Sequence, residues 1–326
     1  MDIRDICTYL RPALDRVSAL IDGALRSDIG LLDATNRQLR EHPGKMMRPV
    51  LSLLSGGAAG KVNADTERFA AAVELLHNAT LLHDDVVDGA TERRGIPTVA
   101  SLLGGSPAVL IGDYWLVKCV QTILDSEKHT DRVIRIVART LSALTEGELL
   151  QMQKASSGDT SEADYLRIVY GKTASLFEAS ARMAAISVDA PEAQVAALGE
   201  FGRLMGIGFQ IKDDIFDYAD ASEALGKPVG IDLREQKITQ PLLCALEKAP
   251  APESACIRGL VTRVAEEPAL EAEIRAFVKA RDGVALAQEK LSFYLQNAIS
   301  CLQSLPESEE KCYLTQLAEY VGCRTR

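Results

Sequence analysis

Two aspartate triplets carry the chemistry of this chain: Asp84, Asp85 and Asp88, and Asp213, Asp214 and Asp217, each spaced DDxxD. On an α-helix, positions i, i+1 and i+4 fall within about 100° of arc, so each triplet projects three carboxylates from one side. Like charges so close together disfavour the bare helix. Each triplet also closes an apolar run, NATLLH before the first and GIGFQIK before the second, where the helix dipole opposes negative charge. A cation must compensate. Hard divalent metals with oxygen ligands suit the purpose, and Mg²⁺ in particular is held by one or two carboxylates while it keeps waters and phosphate oxygens. Two facing carboxylate helices would hold several Mg²⁺ ions and a diphosphate between them. One DDxxD alone is usually a solvated acidic face; a pair, each behind an apolar run, argues for a site.

Basic residues cluster around the same segments. Arg93 and Arg94 follow the first triplet in GATERRG, Lys45 and Arg48 lie in HPGKMMRP, Lys172 and Thr173 in YGKTASLF, and Lys227 and Lys237 follow the second triplet. Beside metal-binding aspartates they point to a polyanionic ligand, because arginine forks bind phosphate oxygens bidentately and lysines act as point charges. Other motifs fail. YGKT resembles the tail of a P-loop, but Leu166 stands where glycine is required and no strand precedes it. There is no HExxH, and His77 and His83 sit on an apolar helix, where core histidines are ordinary.

The elements that must position these residues are helices. The segment from Asp65 to Asp88 is apolar around most of its circumference, as a central helix of a large bundle would be. Ser106 with Pro107 reads as an N-cap followed by proline at N1, and Ser161 with Asp164 as a capping box. Pro191 and Glu192 open an apolar helical run through Phe216. Alternating strand patterns are missing, and Gly104-Gly105 punctuates helices. KAPAPE, Lys248 to Glu253, is the best break but too short to separate domains. The expectation is one all-α domain over 1–326, an antiparallel helical bundle around a deep central cavity, with 250–326 as a helical C-terminal part.

Composition narrows the class. The chain has 326 residues, 47% of them hydrophobic, which excludes disorder and fibre. Its 36 basic and 46 acidic residues give a formal charge of −10, which argues against a nucleic-acid partner. The longest uncharged stretch, Gly95 to Gly112, contains Pro97, Gly104, Gly105 and Pro107, so no transmembrane span is expected. The N-terminus has no continuous apolar segment, and the seven dispersed cysteines read as buried thiols in a reducing compartment; both point to the cytoplasm.

With these blocks in order, the sequence resembles the trans-isoprenyl diphosphate synthases, most closely bacterial long-chain polyprenyl synthases of the octaprenyl or related type. LLHDDVVDGATERRG looks like the family's first aspartate-rich motif and FQIKDDIFDY like its second; GKMMRP, GKTASLF and GKPVGIDLREQKITQPLL match the other blocks, so that the likeness covers about 45–243. It implies the isoprenoid-synthase fold and head-to-tail condensation of isopentenyl diphosphate with an allylic diphosphate. Asp84 and Asp88, supported by Asp85, would ligate two Mg²⁺; Asp213, assisted by Asp214 and Asp217, would take a third. Lys45, Arg48, His77 and Arg94 match the isopentenyl diphosphate site. Arg93, Lys172, Thr173, Gln210, Lys227 and Lys237 match the allylic diphosphate site, the last five also acting in catalysis. HPGK departs from the glycine-rich GGK of many relatives, which affects the loop before Lys45.

In this family, bulky residues four and five positions before the first aspartate stop short products. Here those positions are Thr80 and Ala79, both small, with Thr80 about 6 Å below Asp84. The tail should pass this level toward a floor drawn from Trp115, Leu116, Cys119, Val120 and Ile123, giving products beyond C20. The resemblance also implies a homodimer, with transient membrane contact on product release. A class I terpene cyclase or head-to-head synthase is a second reading, weakened because cyclases pair DDxxD with an NSE-type cluster. A non-catalytic subunit of a heteromeric synthase is a third, weakened because no aspartate or diphosphate-site base is missing.

Overall fold

The computed structural model describes residues 3–41, 44–93, 95–218 and 230–324. It falls into two compact units. One comprises Met1–Ala138, Ala179–Gly199 and Ser304–Leu314, the other Arg139–Glu178, Glu200–Gln303 and Thr315–Arg326.

In the first unit, helices α1 (Ile3–Ala24), α2 (Gly30–Glu41), α3 (Met47–Ala59) and α4 (Ala64–Val87) precede a short hairpin. Helix α4 is the expected central helix. It is capped by a reciprocal pair between Asn63 and Thr66, and its buried residues run from Asp65 and Phe69 through Leu76 and Ala79 to Asp85. Helices α1, α3 and α6 (Gly105–Leu124) all pack on it. Gly112 makes the α4–α6 approach close, since a Cβ there would stand 2.4 Å from Nε2 of His83.

Two sequence expectations need correction here. Strands are not wholly absent: β1 (Glu92–Arg93) pairs antiparallel with β2 (Ile96–Pro97), a ladder too short to leave a periodic signal. Helix α6 does not start at Pro107. Gly104, at φ 88° after the short α5 (Val99–Leu103), is its N-cap, so Pro107 falls at the third position, where its missing N–H has no intrahelical partner to lose.

The second unit holds most of α7 (Thr130–Ser157), then α8 (Glu162–Val169), a π-helical turn (Tyr170–Ala174) and the start of α9 (Ser175–Ser187). The greater part of α10 (Glu192–Asp217) belongs to it as well, as do α11 (Ile231–Arg234), α12 (Gln240–Lys248), α13 (Ala251–Val261), α14 (Leu270–Ala280) and α15 (Gly283–Cys301). The last helix, α16 (Glu309–Cys323), ends in this unit. The capping box at the head of α8 is present as read, Ser161 accepting from the Asp164 N–H and Asp164 from the Ser161 N–H. Phe201, Met205, Ile211, Leu242 and Leu291 form part of its core.

All seven cysteines are free, but only Cys119 and Cys244 are buried, so the expectation of buried thiols fails for the other five. Among the described residues, no helix is long and apolar enough to cross a membrane.

Candidate active site

The first triplet ends α4. Asp85 is buried and accepts from Arg93 Nε at 2.6 Å, an ion pair that joins the triplet to the hairpin. Asp84 is half-buried, and Asp88, the C-cap, is exposed. His77 lies two turns before Asp84 on the same face of α4. Lys45 stands in the loop before α3 and Arg48 in its first turn, at a helix N-terminus, where the dipole favours an anion. Between them Met46 adopts φ 51°, a left-handed conformation that costs a non-glycine side chain energy. Arg94 lies outside the described residues.

The second triplet ends α10, and its middle aspartate is again the buried one. Asp214 accepts from the Tyr165 hydroxyl at 2.6 Å, from Gln210 Nε2 at 3.0 Å and from the Gln240 N–H at 3.2 Å. Burial nevertheless pushes its pKa up to about 6. Gln210 Oε1 in turn accepts from the Thr173 hydroxyl at 2.7 Å, so one chain of hydrogen bonds runs from Thr173 to Tyr165. Asp217 accepts from the N–H groups of Ile231 and Asp232 at the head of α11. Asp213 keeps 42% of its side chain in solvent and is bonded to Arg324.

Lys172 and Thr173 are positioned by the π-helical turn, an interruption of regular α-geometry often found at functional sites. Gly171 and Gly147 of α7 meet there backbone to backbone. A Cβ on Gly171 would lie 2.4 Å from the Ala143 carbonyl oxygen and 2.8 Å from Gly147 Cα. This closeness brings Lys172 Nζ to 2.7 Å from Glu148 Oε1. Lys172, Gln210, Asp214, Asp232 and Lys237 line one cleft of ≈ 550 Å³. Lys237 is paired with Glu235. Asp232, half-buried near Asp214 and Asp217, has its pKa raised to about 8 by loss of solvent and by those two carboxylates. Lys227 lies outside the described residues.

The chain-length residues lie on α4 and α6. Ala79, Cys119 and Ile123 are buried; Thr80, Leu116 and Val120 are half-buried. Trp115 is buried and donates to Asn36 at 2.9 Å. The apolar pocket of the first unit (≈ 500 Å³) is lined by Leu81, Leu82, Asp85, Arg93 and Trp115 among others, and by none of the other six.

Sequence reading missed Tyr165, Glu148, Asp232 and Arg324. Asp232 was within sight, since it lies inside the GKPVGIDLREQK block. The partners of the others are set by tertiary packing, and Arg324 meets Asp213 across 111 residues.

The donors offered by both triplets are carboxylate oxygens, the ligand type of Mg²⁺. Among the described residues no three His, Cys, Asp or Glu side chains form a ready-made metal cage. That is compatible with an ion that takes one or two carboxylates and completes its shell with water and phosphate.

Known proteins resemble this chain over nearly its whole length. A polyprenyl synthetase family model matches residues 30–278. The octaprenyl diphosphate synthase of Haemophilus influenzae is 35% identical over 318 residues, 98% of this chain and 96% of that protein. The crystal structure of a decaprenyl diphosphate synthase from Rhodobacter capsulatus superposes with a TM-score of 0.91 at 34% identity, covering 100% of both chains. A polyprenyl synthase from Caulobacter crescentus, complexed with calcium and isoprenyl diphosphate, superposes at 0.90 with 30% identity, covering 100% of this chain and 98% of that one. The motifs, the all-helical fold and matches running nearly end to end converge on one conclusion: the chain belongs to the polyprenyl synthetase family.

Proposed function

We propose that this chain is a Mg²⁺-dependent prenyltransferase that condenses isopentenyl diphosphate head to tail with an allylic diphosphate, releasing pyrophosphate and an all-trans polyprenyl diphosphate longer than C20. The observation that carries the reading is the pair of helix-terminal triplets, each with an accessible first aspartate and a buried, tethered middle one. Relatives that are long-chain polyprenyl diphosphate synthases support it and do not favour a cyclase, a head-to-head synthase or a non-catalytic subunit.

Asp84 and Asp88 would hold two Mg²⁺ and Asp213 a third, assembled with the substrate diphosphate, while Asp85, Asp214 and Asp217 hold the helix ends in place. Bound there, Mg²⁺ would neutralise charge on the diphosphate. Arg93, Lys172, Lys227 and Lys237 donate to the allylic diphosphate, and Thr173 and Gln210 orient it through their link to Asp214. Lys45, Arg48, His77 and Arg94 bind isopentenyl diphosphate, aided by the N-terminus of α3. The allylic C–O bond ionises as the cationic side chains meet charge building on the leaving oxygen. The double bond of isopentenyl diphosphate then attacks the allylic carbon, and the departing pyrophosphate takes the proton lost. Apolar helix walls exclude the water that would quench the cation.

Small Ala79 and Thr80 let the tail pass toward α6 and a product beyond C20. A homodimer is supported by the outer face of α6, where Leu110, Val117 and Leu124 recur every seven residues, all exposed. Product chromatography with farnesyl and geranylgeranyl primers, isopentenyl diphosphate and Mg²⁺ tests the reading. Chains beyond C20, lost in D84N and D213N, are expected. Turnover of the allylic diphosphate alone, or full activity in both variants, would refute it.

A further inference from the structure

The C-terminal end of the chain is fastened to the first aspartate of the second triplet. Arg324 follows α16 directly, and its N–H continues the helix by donating to the Tyr320 carbonyl. Its Nη2 donates to Asp213 Oδ1 at 2.7 Å and to the Phe209 carbonyl at 3.0 Å. The guanidinium lies 3.9 Å from the centroid of the Phe209 ring and 5.2 Å from that of Phe216. Its side chain is 4% exposed, whereas Asp213 keeps 42% of its own in solvent. A guanidinium does not lose its proton in proteins, so this is a permanent positive charge, fixed by stacking against a carboxylate that remains open on its other side. Lys212, with Nζ 5.1 Å from the Phe216 ring centroid, adds a second cation to the same corner.

Such a pair opposes a divalent ion. A metal on Asp213 stands next to the guanidinium, and a unit charge a few ångströms from a doubly charged ion changes its affinity by at least about tenfold even at the screening of bulk water. An arriving diphosphate brings enough negative charge to reverse that balance, and the stacked arginine then keeps the carboxylate oriented. We propose that Arg324 is a built-in counterion that sets the order of assembly at Asp213, holding divalent metal off this carboxylate until a diphosphate is present. The inference rests on the reading of Asp213 as a metal ligand. It makes Arg324 a positioning residue, acting through Asp213.

The test is Mn²⁺ binding, followed by the EPR signal of the free ion, with and without inorganic pyrophosphate. Wild type should fill its Asp213-dependent position much more weakly without pyrophosphate than with it. R324Q should fill it without pyrophosphate, about tenfold more tightly than wild type. R324K, which conserves the charge, should keep the wild-type order, and D213N/R324Q should lose the gain. A purely structural role for Arg324 would weaken binding in R324Q and would not tighten it. Where R324Q does not fold, R324M keeps an apolar stem over Phe209 and carries the same comparison. Identical Mn²⁺ isotherms for wild type and the neutral variant without pyrophosphate, with D213N still defective in its presence, overturn the proposal alone. A D213N variant that binds as many Mn²⁺ with pyrophosphate as wild type removes the underlying reading, and the proposal with it.

Discussion

Replacing Asp214 by asparagine should make the protein more stable and change how that stability depends on pH. The aspartate is fully buried, and burial outweighs three hydrogen bonds, lifting its pKa from 3.8 to about 6. The folded state therefore holds a proton that the unfolded state has released. The resulting stabilisation is complete below pH 3.8 and disappears as pH rises through about 6. Across the whole transition this amounts to about 3 kcal/mol, of which a little over 1 kcal/mol falls between pH 5 and pH 8. Asparagine does not titrate, and the local bonding tolerates it. If the Gln210 amide flips, its oxygen accepts from the asparagine NH₂ and its nitrogen donates to the Thr173 hydroxyl, while the Tyr165 hydroxyl still finds an oxygen. Removing the charge also relieves Asp232, whose raised pKa owes part of its shift to Asp214, so the second effect has the same sign. Urea denaturation in EDTA at pH 5 and pH 8 measures this. Wild type should lose about 1 kcal/mol more than D214N over that interval, and D214N should be the more stable protein at pH 8 although it loses turnover. A pH-independent difference between the two proteins would show that Asp214 is already ionised in the fold at pH 5, as it is in the unfolded chain, and would refute the reasoning.

Other substitutions test separate parts of the structure. G171A should cost about 1–3 kcal/mol in chemical denaturation and lower turnover, because its Cβ meets two backbone atoms that cannot move aside singly. A79F or A79Y should shorten the product on chromatography; the same product lengths as wild type would show that the growing tail does not pass this level. V117E, on the exposed face of α6, should convert a dimer to monomers in sedimentation, without changing the helical signal in circular dichroism.

The elements were legible where a local rule decides them. The apolar run through α4 marks a helix buried on most sides, and the Ser161–Asp164 box marks the head of α8. The hairpin that carries Arg93 was not legible, since two residues per strand set up no alternation. The π-helical turn escaped for a similar reason. YGKTA reads as ordinary helix, and the wide turn coincides with the backbone approach of Gly171 to Gly147, a partner on another helix. Arg324 lies furthest from the reach of pattern reading, because its stack on Phe209 and its bond to Asp213 exist only once α16 has packed.

The spacing of the triplets held more information than three carboxylates on one side. At 100° per residue, the first and last aspartates of DDxxD stand about 40° apart, while the middle one is turned about 100° from the first and 60° from the last. A helix that leaves its outer two carboxylates partly in solvent must therefore turn the middle one toward its own packing. Both helices do so: Asp85 is buried against Arg93, and Asp214 against Tyr165, Gln210 and Gln240. The partners differ in kind, a cation in one case and neutral donors in the other, and the difference has a consequence. Asp85 is paired with a guanidinium, whereas burial among neutral donors leaves Asp214 within reach of protonation near pH 6. Below about pH 6 the loss of activity should follow the hydrogen-bond chain from Asp214 through Gln210 to Thr173, which a pH–rate profile of wild type against Y165F would register as an acid limb displaced upward in the variant. An unmoved limb would mean that the hydroxyl of Tyr165 does not stabilise the carboxylate during turnover.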